Sequence, residues 1–425
     1  MKAQMAMKKA AGTSKTVESC QICNSDKLKN ILFLGYLPPV NKMPPIGEFP
    51  NEQSSYPALF LHCPRCQLVQ LGLIVDPKVL FPAEYPYTSG TTKVLRDNFA
   101  NLYQECSKLI PLKKEDLIVD IGSNDGTLLS NFVAHHQVQG ITPEDIGELA
   151  RQKGIPTTTS YFNQQAVEQI LQKRGKAKIV TATNVFAHIE DVHSVIDCIL
   201  NLLKDDGVFI SESHYLMDLI ETLQYDTIYH EHLRYYSLHS LQYLFNMHGL
   251  EIFHVKRIPT HGGSIRVYAA RKGKFQKQKS VGILLKEEDT KKLNKKLLVE
   301  FKAKVVLSKL KTHTLLLNLK KKGARIVGIG APSRASTLIN YVGIDDGIFD
   351  SVLEIKGSYK IGKCIPGTLI PVEEESKLYQ DQPDYAMLLS WHIADELAPK
   401  IKQKGFKGDF IVPLPEPRIL KNSDV

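Results

Sequence analysis

The sequence holds one tryptophan in 425 residues and no apolar run near the roughly 18 residues that a membrane helix needs. A bilayer-spanning role is therefore not expected. Acidic residues are also in deficit: 45 against 54 basic ones leave a formal charge of +9. Aromatic and basic residues do not interleave as they do in single-strand nucleic-acid platforms, so no nucleic-acid partner is expected. The lysines gather between Lys274 and Lys322, where a solvated helix face accounts for them. Met1–Thr16 contains lysines but no apolar stretch. It lacks the form of a secretory leader and reads as a disordered lead-in. A cytoplasmic location and a monomer are the default expectations.

Cysteine is scarce as well. Four of the seven cysteines form two Cys-x-x-Cys pairs, Cys20/Cys23 and Cys63/Cys66. Outside a secreted context such pairs point to a metal rather than to disulfides. Four thiolates from two tight turns complete a tetrahedron and leave no position for water, so a structural zinc is expected. The gap between the pairs is about twice that of a common zinc ribbon and implies an inserted loop. His62 beside Cys63 is expected to be exposed rather than a ligand. Cys106, Cys198 and Cys364 read as packing residues.

The remaining chain is too long for one core, so two or three domains are expected. Residues 95–255 alternate strand-like apolar runs with amphipathic stretches, the pattern of βαβ units. The runs are 117–122, 140–142, 178–186 and 207–213, with a further strand at 261–271. From Lys286 to Gly323 the pattern is helical, with Leu293, Leu297, Phe301 and Val305 on one face and lysines on the other. A second α/β unit follows, with strands near 324–330, 385–391 and 409–415.

The stretch LIVDIGSNDGTLLSNF (117–132) is a strand, a glycine turn and an expected helix. Small residues at the carboxyl end of a strand let the backbone approach a ligand. Asp120, Gly122, Ser123, Asn124, Asp125 and Gly126 are the candidate cofactor contacts, joined by Asn184, Phe186 and Ala187 after the fourth strand. This turn resembles the first motif of class I methyltransferases, in which an acid faces the cationic end of S-adenosylmethionine. Those enzymes usually end the second strand on an acid that holds the ribose. Here Thr142 stands there, with Glu144 and Asp145 as substitutes.

The segment YDTIYHEHLRYYS (225–237) packs Tyr229, His230, Glu231 and His232 together. So many titratable groups in so short a span point to acid–base chemistry. With this segment the chain resembles the sugar C-methyltransferase family from Cys20 to about Pro417. GAPSRASTLINYVGI (330–344) and GKCIPGTLIPV (362–372) look like that family's C-terminal signatures.

The resemblance implies an α/β protein of three parts. These are a zinc-binding module over 17–85, a class I methyltransferase Rossmann-like domain over 86–272, and a C-terminal Rossmann-like domain over 273–425. It implies S-adenosylmethionine as cofactor and a nucleotide-linked keto-deoxysugar as substrate. The family's catalytic histidine falls on His232. Supporting residues fall on Tyr229, Glu231, His188 and one of Tyr85 and Tyr87. His232 would take the proton beside the ketone, and Tyr229 or His188 would donate to the developing oxyanion. Glu231 would orient a histidine or bind the sugar. Gly330, Ser333, Arg334 and Lys360 are the expected diphosphate contacts, Arg334 standing where many members carry lysine. Gly263 and Ser264, after His261 and Gly262, are expected at the sugar. Two other readings compete: an O- or N-methyltransferase, and a zinc-bearing nucleic-acid-binding protein without cofactor affinity.

Overall fold

The computed structural model describes residues 13–47, 53–80, 88–291, 293 and 295–425. Tyr85 and Tyr87 lie outside the described residues, as do residues 1–12 of the expected lead-in. Two residues of that lead-in are ordered into the fold. Lys15–Thr16 form β1, which pairs antiparallel with Leu73–Ile74. The amino-terminal module consists of β1, β2 (Lys29–Leu37), β3 (Tyr56–His62), β4 (Val69–Leu71) and β5 (Leu73–Ile74).

The central sheet contains β6 (Leu117–Ile121), β7 (Gln137–Thr142), β8 (Thr157–Thr159), β9 (Ala177–Thr183) and β10 (Leu203–His214). The short β11 (Arg234–Tyr235) leaves it to pair with β4 of the amino-terminal sheet. The chain then returns with β12 (Leu250–Ile258) and β13 (Ser264–Arg271). The spatial order is β8-β7-β6-β9-β10-β13-β12. All pairs are parallel except those made by β13. Every residue of β6 is buried, as expected of a strand covered on both faces. The order reverses between β6 and β9, which places a crevice beyond their carboxyl ends.

The carboxyl-terminal sheet runs β16-β15-β14-β17-β18-β19. Its strands are β14 (Ile326–Ile329), β15 (Val352–Glu354), β16 (Val372–Glu374), β17 (Tyr385–Leu388), β18 (Asp409–Val412) and β19 (Arg418–Leu420). It has its own reversal between β14 and β17.

Three local expectations are corrected. No α-helix follows the glycine turn at 122–126; only a 3-10 turn forms, Leu129–Asn131. The Thr127 carbonyl is taken by Ser130 Oγ and Asn131 Nδ2, side chains that compete with the helical ladder. The lysine-rich segment gives two helices, Lys279–Lys291 and Lys295–Lys320. On the second, Phe301 and Val305 are buried, but Val299, Val306, Leu310 and Leu317 share the solvent side with the lysines. His62 is buried, not exposed, because it ends the inner strand β3, and its Nε2 contacts Gln67 Oε1 at 3.2 Å.

Candidate active site

The two cysteine pairs meet. Each Cys-x-x-Cys is a tight turn closed by a residue in the left-handed region, Asn24 (φ 54°) and Gln67 (φ 61°). Each turn carries the same backbone bonds. Asn24 N–H donates to Cys20 O, and Gln67 N–H to Cys63 O. Sγ of Cys20 lies 3.4 Å from Sγ of Cys66, and Sγ of Cys23 lies 3.5 Å from Sγ of Cys63. All four sulfurs lie within 4.8 Å of one another. A zinc tetrahedron with Zn–S near 2.3 Å has edges of about 3.8 Å, so the donor set fits that ion. The four cysteines pack in one core with Phe186, Ala187 and Val192 of the central domain. His193 ties the domains by contacting Ile22 O at 2.9 Å through Nε2.

The glycine turn occupies the crevice at the β6/β9 reversal. Gly122 adopts φ +70°, and a Cβ there would lie 2.4 Å from Val185 Cγ2. Among the described residues Ser123 Oγ and Asn184 Oδ1 are buried without a hydrogen-bond partner, two polar atoms at adjoining strand ends that suit a polar ligand. At the end of β7 the Thr142 hydroxyl donates to Glu144 Oε2 at 2.5 Å, which fixes a carboxylate where the sequence seemed to lack one.

Other expected cofactor contacts are engaged elsewhere. Asp120 is buried behind the turn and accepts the Thr181 hydroxyl. Burial pushes its carboxyl up to about 7, against the pull of that hydroxyl. Asp125 accepts the Thr127 hydroxyl at 2.7 Å and pairs with Lys153 at 3.0 Å, so it braces the turn. Asn124 accepts the Ser89 N–H at 2.9 Å, and Gly126 at φ +75° abuts Ala150. The Phe186 ring sits in an aromatic core with Phe209, Tyr236 and Phe245. Ala187 contributes its carbonyl, which accepts the Leu233 N–H at 3.0 Å.

That last bond stitches the Tyr-His-Glu-His run to the cofactor side. The linkage is short: the glycine turn touches Val185, the His188 N–H donates to Val185 O at 2.9 Å, and the His188 ring lies 5.0 Å from that of His232. His232 is buried, and Nδ1 lies 2.8 Å from the Thr227 carbonyl. A carbonyl can only accept, so Nδ1 carries the proton and Nε2 holds the lone pair of the neutral ring. Tyr229 packs on this ring at 4.1 Å between centroids.

Two further histidines complete the cluster, and the sequence reading had not singled out the first. His214 ends β10 with its ring 4.8 Å from His232 and 5.5 Å from His261. Burial holds all four imidazoles down, His188 and His261 to about 4 and His214 and His232 well below the usual value. His261 sits at φ 57°, and its Nε2 is buried with no partner among the described residues. His230 points the other way, toward Pro57 O.

Glu231 reaches toward the amino-terminal module. It accepts from Asn41 Nδ2 at 2.6 Å, and the Ser333 hydroxyl reaches Asn41 Oδ1 at 3.2 Å. Asn41 thus joins three parts of the chain, and the sequence reading missed it. Lys360 Nζ donates to the Ala331 carbonyl in the turn after Gly330, which adopts φ +78°.

Arg334 requires a correction. Its guanidinium is buried and grips Asp226 through Nε and Nη2, both at 2.8 Å, with Gln224 Oε1 at 3.0 Å and His392 Nδ1 at 3.1 Å. Trp391 Nε1 donates to the same carboxylate at 2.7 Å. A fork committed in this way has no free face for a diphosphate. Ser264 is corrected too: its hydroxyl donates to Thr260 O inside the fold. A Cβ on Gly263 would meet Asp218 at 2.5 Å, so this glycine serves a close approach.

A surface cavity of about 480 Å³ lies among Leu319, Tyr385 and Asp409. It opens at the amino ends of β17 and β18, the wrong end for a doubly wound sheet to bind its ligand.

The comparisons agree with this layout. Residues 20–81 match a zinc-binding-domain model, 93–255 a methyltransferase-domain model, and 259–415 a model of the C-methyltransferase C-terminal domain. The magnesium protoporphyrin IX methyltransferase of Synechocystis is similar at 17% identity over 42% of this chain and 78% of its own, with a TM-score of 0.31. A methyltransferase of Anabaena variabilis is similar at 14% identity over 44% of this chain and 88% of its own, with a TM-score of 0.35. The C-methyltransferase NovU of Streptomyces niveus is 31% identical over 95% of this chain and 97% of its own. With that likeness spanning the zinc module, the cofactor sheet and the carboxyl-terminal domain alike, the chain belongs to the C-methyltransferase family, enzymes that depend on S-adenosylmethionine.

Proposed function

We propose that this C-methyltransferase acts on a carbon beside the keto group of a nucleotide-linked deoxysugar. One observation carries the reading: a buried, neutral imidazole whose Nε2 holds the lone pair, His232, linked to the glycine turn through Val185 and His188. Carbon methylation needs such a base, because a C–H must ionise first.

Bound at the turn, S-adenosylmethionine supplies an electrophilic methyl group. Ser123, Gly122 and Asn184 would hold it, with Glu144 toward the ribose. His232 Nε2 accepts the proton from the substrate carbon. The Thr227 carbonyl fixes the tautomer and steadies the imidazolium that forms. Tyr229 and His188 border the same space, and either hydrogen bonds the oxygen that gains charge. Glu231 and Asn41 line the approach from the other two domains and suit sugar hydroxyls. Gly330, Ser333 and Lys360 would take the diphosphate at the start of helix Ser333–Val342, where backbone N–H groups and the helix dipole favour an anion. NovU shares the length and the family, which supports the same class of reaction.

Incubation with methyl-labelled S-adenosylmethionine and a panel of 4-keto nucleotide sugars tests the reading. Label on a sugar carbon next to the ketone is expected. Label on oxygen or nitrogen, or no transfer to any keto sugar, would overturn it.

A further inference from the structure

We infer that His214 is a catalytic residue of this site, whose imidazole N–H hydrogen bonds the substrate's keto oxygen as the neighbouring carbon loses its proton. The inference rests on the function proposed above.

His214 is the last residue of β10, at the carboxyl end of a strand next to the cofactor strand β9, so it opens onto the ligand side of the sheet. Its ring stands between those of His232 and His261. It is half-buried, and among the described residues neither ring nitrogen has a hydrogen-bond partner. This contrasts with the other imidazoles of the chain that serve structure. His193 and His248 bond each other, His254 bonds Ser280, and His239 bonds Glu288. A half-buried polar ring, unpaired among the described residues and next to the base, is open to a partner from outside the fold. Burial, foremost, keeps it neutral, and His232, His261, Arg334 and His188 act in the same direction. A neutral imidazole always carries one N–H to give.

The step balances simply. The proton passes from carbon to Nε2 of His232. The C–H electron pair becomes the enolate double bond, and the carbonyl π pair moves onto oxygen. That oxygen accepts the His214 N–H more strongly than the ketone did, so the bond stabilises the transition state more than the ground state.

The test uses the full-length enzyme with a keto sugar that it methylates. His214→Ala should lower kcat by about 10²–10³-fold, the range for removal of one oxyanion donor. Affinity for S-adenosylhomocysteine should stay within about twofold, since the ring contacts recorded for His214 are with His232 and His261. His214→Gln restores an N–H donor and should recover at least about tenfold of the loss, which a merely structural role would not produce. A near-normal kcat in His214→Ala, or no advantage of glutamine over alanine, overturns the inference while leaving the proposed function standing. A wild-type enzyme inactive on every keto sugar overturns both. Should the variants not fold, a crystal of the wild-type enzyme with the keto sugar decides. A His214 nitrogen within about 3.2 Å of the keto oxygen supports the assignment, and one beyond hydrogen-bond range ends it.

Discussion

The Nδ1–H of His232 donates to the carbonyl of Thr227 at 2.8 Å, so one backbone atom sets the tautomer of the proposed base. Thr227 follows Asp226, the residue that Arg334 and Trp391 grip from the carboxyl-terminal domain. The orientation of the base is thereby coupled to the docking of a domain whose gripping residues lie 108 and 165 positions beyond Asp226 in sequence.

The first consequence is a pH profile. Burial, with the His188 ring next to it, holds His232 well below the ordinary histidine value. The base form is the neutral one, so acid removes activity only when this depressed value is reached. The acid limb of kcat/KM should therefore lie below the ordinary histidine value of about 6.5. A limb centred at or above 6.5 would contradict the assignment.

Stability should decline with acid over a related window. His188, His230 and His261 are held to about 4, and His392 to about 3. In the unfolded chain each titrates near 6.5. Between about pH 4 and 6.5 the unfolded state binds more protons, so stability is full above 6.5 and is lost as pH falls. Thermal melts of the zinc-loaded protein at pH 7.5 and 5.5 check this. A higher Tm at pH 5.5 would contradict the burial of these rings.

The Arg334–Asp226 pair makes a thermodynamic prediction. Removing one partner leaves the other charge buried, so Arg334→Ala should cost about 3–5 kcal/mol. The double variant Arg334→Met with Asp226→Asn should cost less than the sum of the two single changes. Denaturant titration of the four proteins measures this. Strict additivity would mean that the pair is not coupled.

Zinc content gives a further check. One ion per chain is expected by elemental analysis, and Cys63→Ser should lose most of it. Because the cysteine turns share a core with Phe186 and Ala187, chelation should lower activity as well as Tm. Full activity in zinc-free protein would contradict that shared core.

The fold was largely legible because its signals are local. Apolar runs mark β6, β9 and β10, and the two Cys-x-x-Cys turns announce their metal by spacing alone. The site was legible only in part. Asn41 meets Glu231 and Ser333 across separations of 190 and 292 residues, and no local pattern carries such a contact. Arg334 looked like a phosphate ligand because it opens a helix after a glycine turn. Only tertiary packing reveals that Asp226 fills its fork. Phe186 is next to residues that face the turn, but the alternation of a chain leaving a strand sends its ring to the core. His214 was hidden at the end of a strand read only as an apolar run.

Hydrogen exchange at the substrate tests the central claim most directly. The enzyme, a 4-keto nucleotide sugar and S-adenosylhomocysteine are incubated in D2O, and the mass of the sugar is followed. With methyl transfer blocked, the account predicts enzyme-dependent uptake of deuterium beside the ketone, reduced by about 10²–10⁴-fold in His232→Asn. Equal exchange in the two proteins would contradict it.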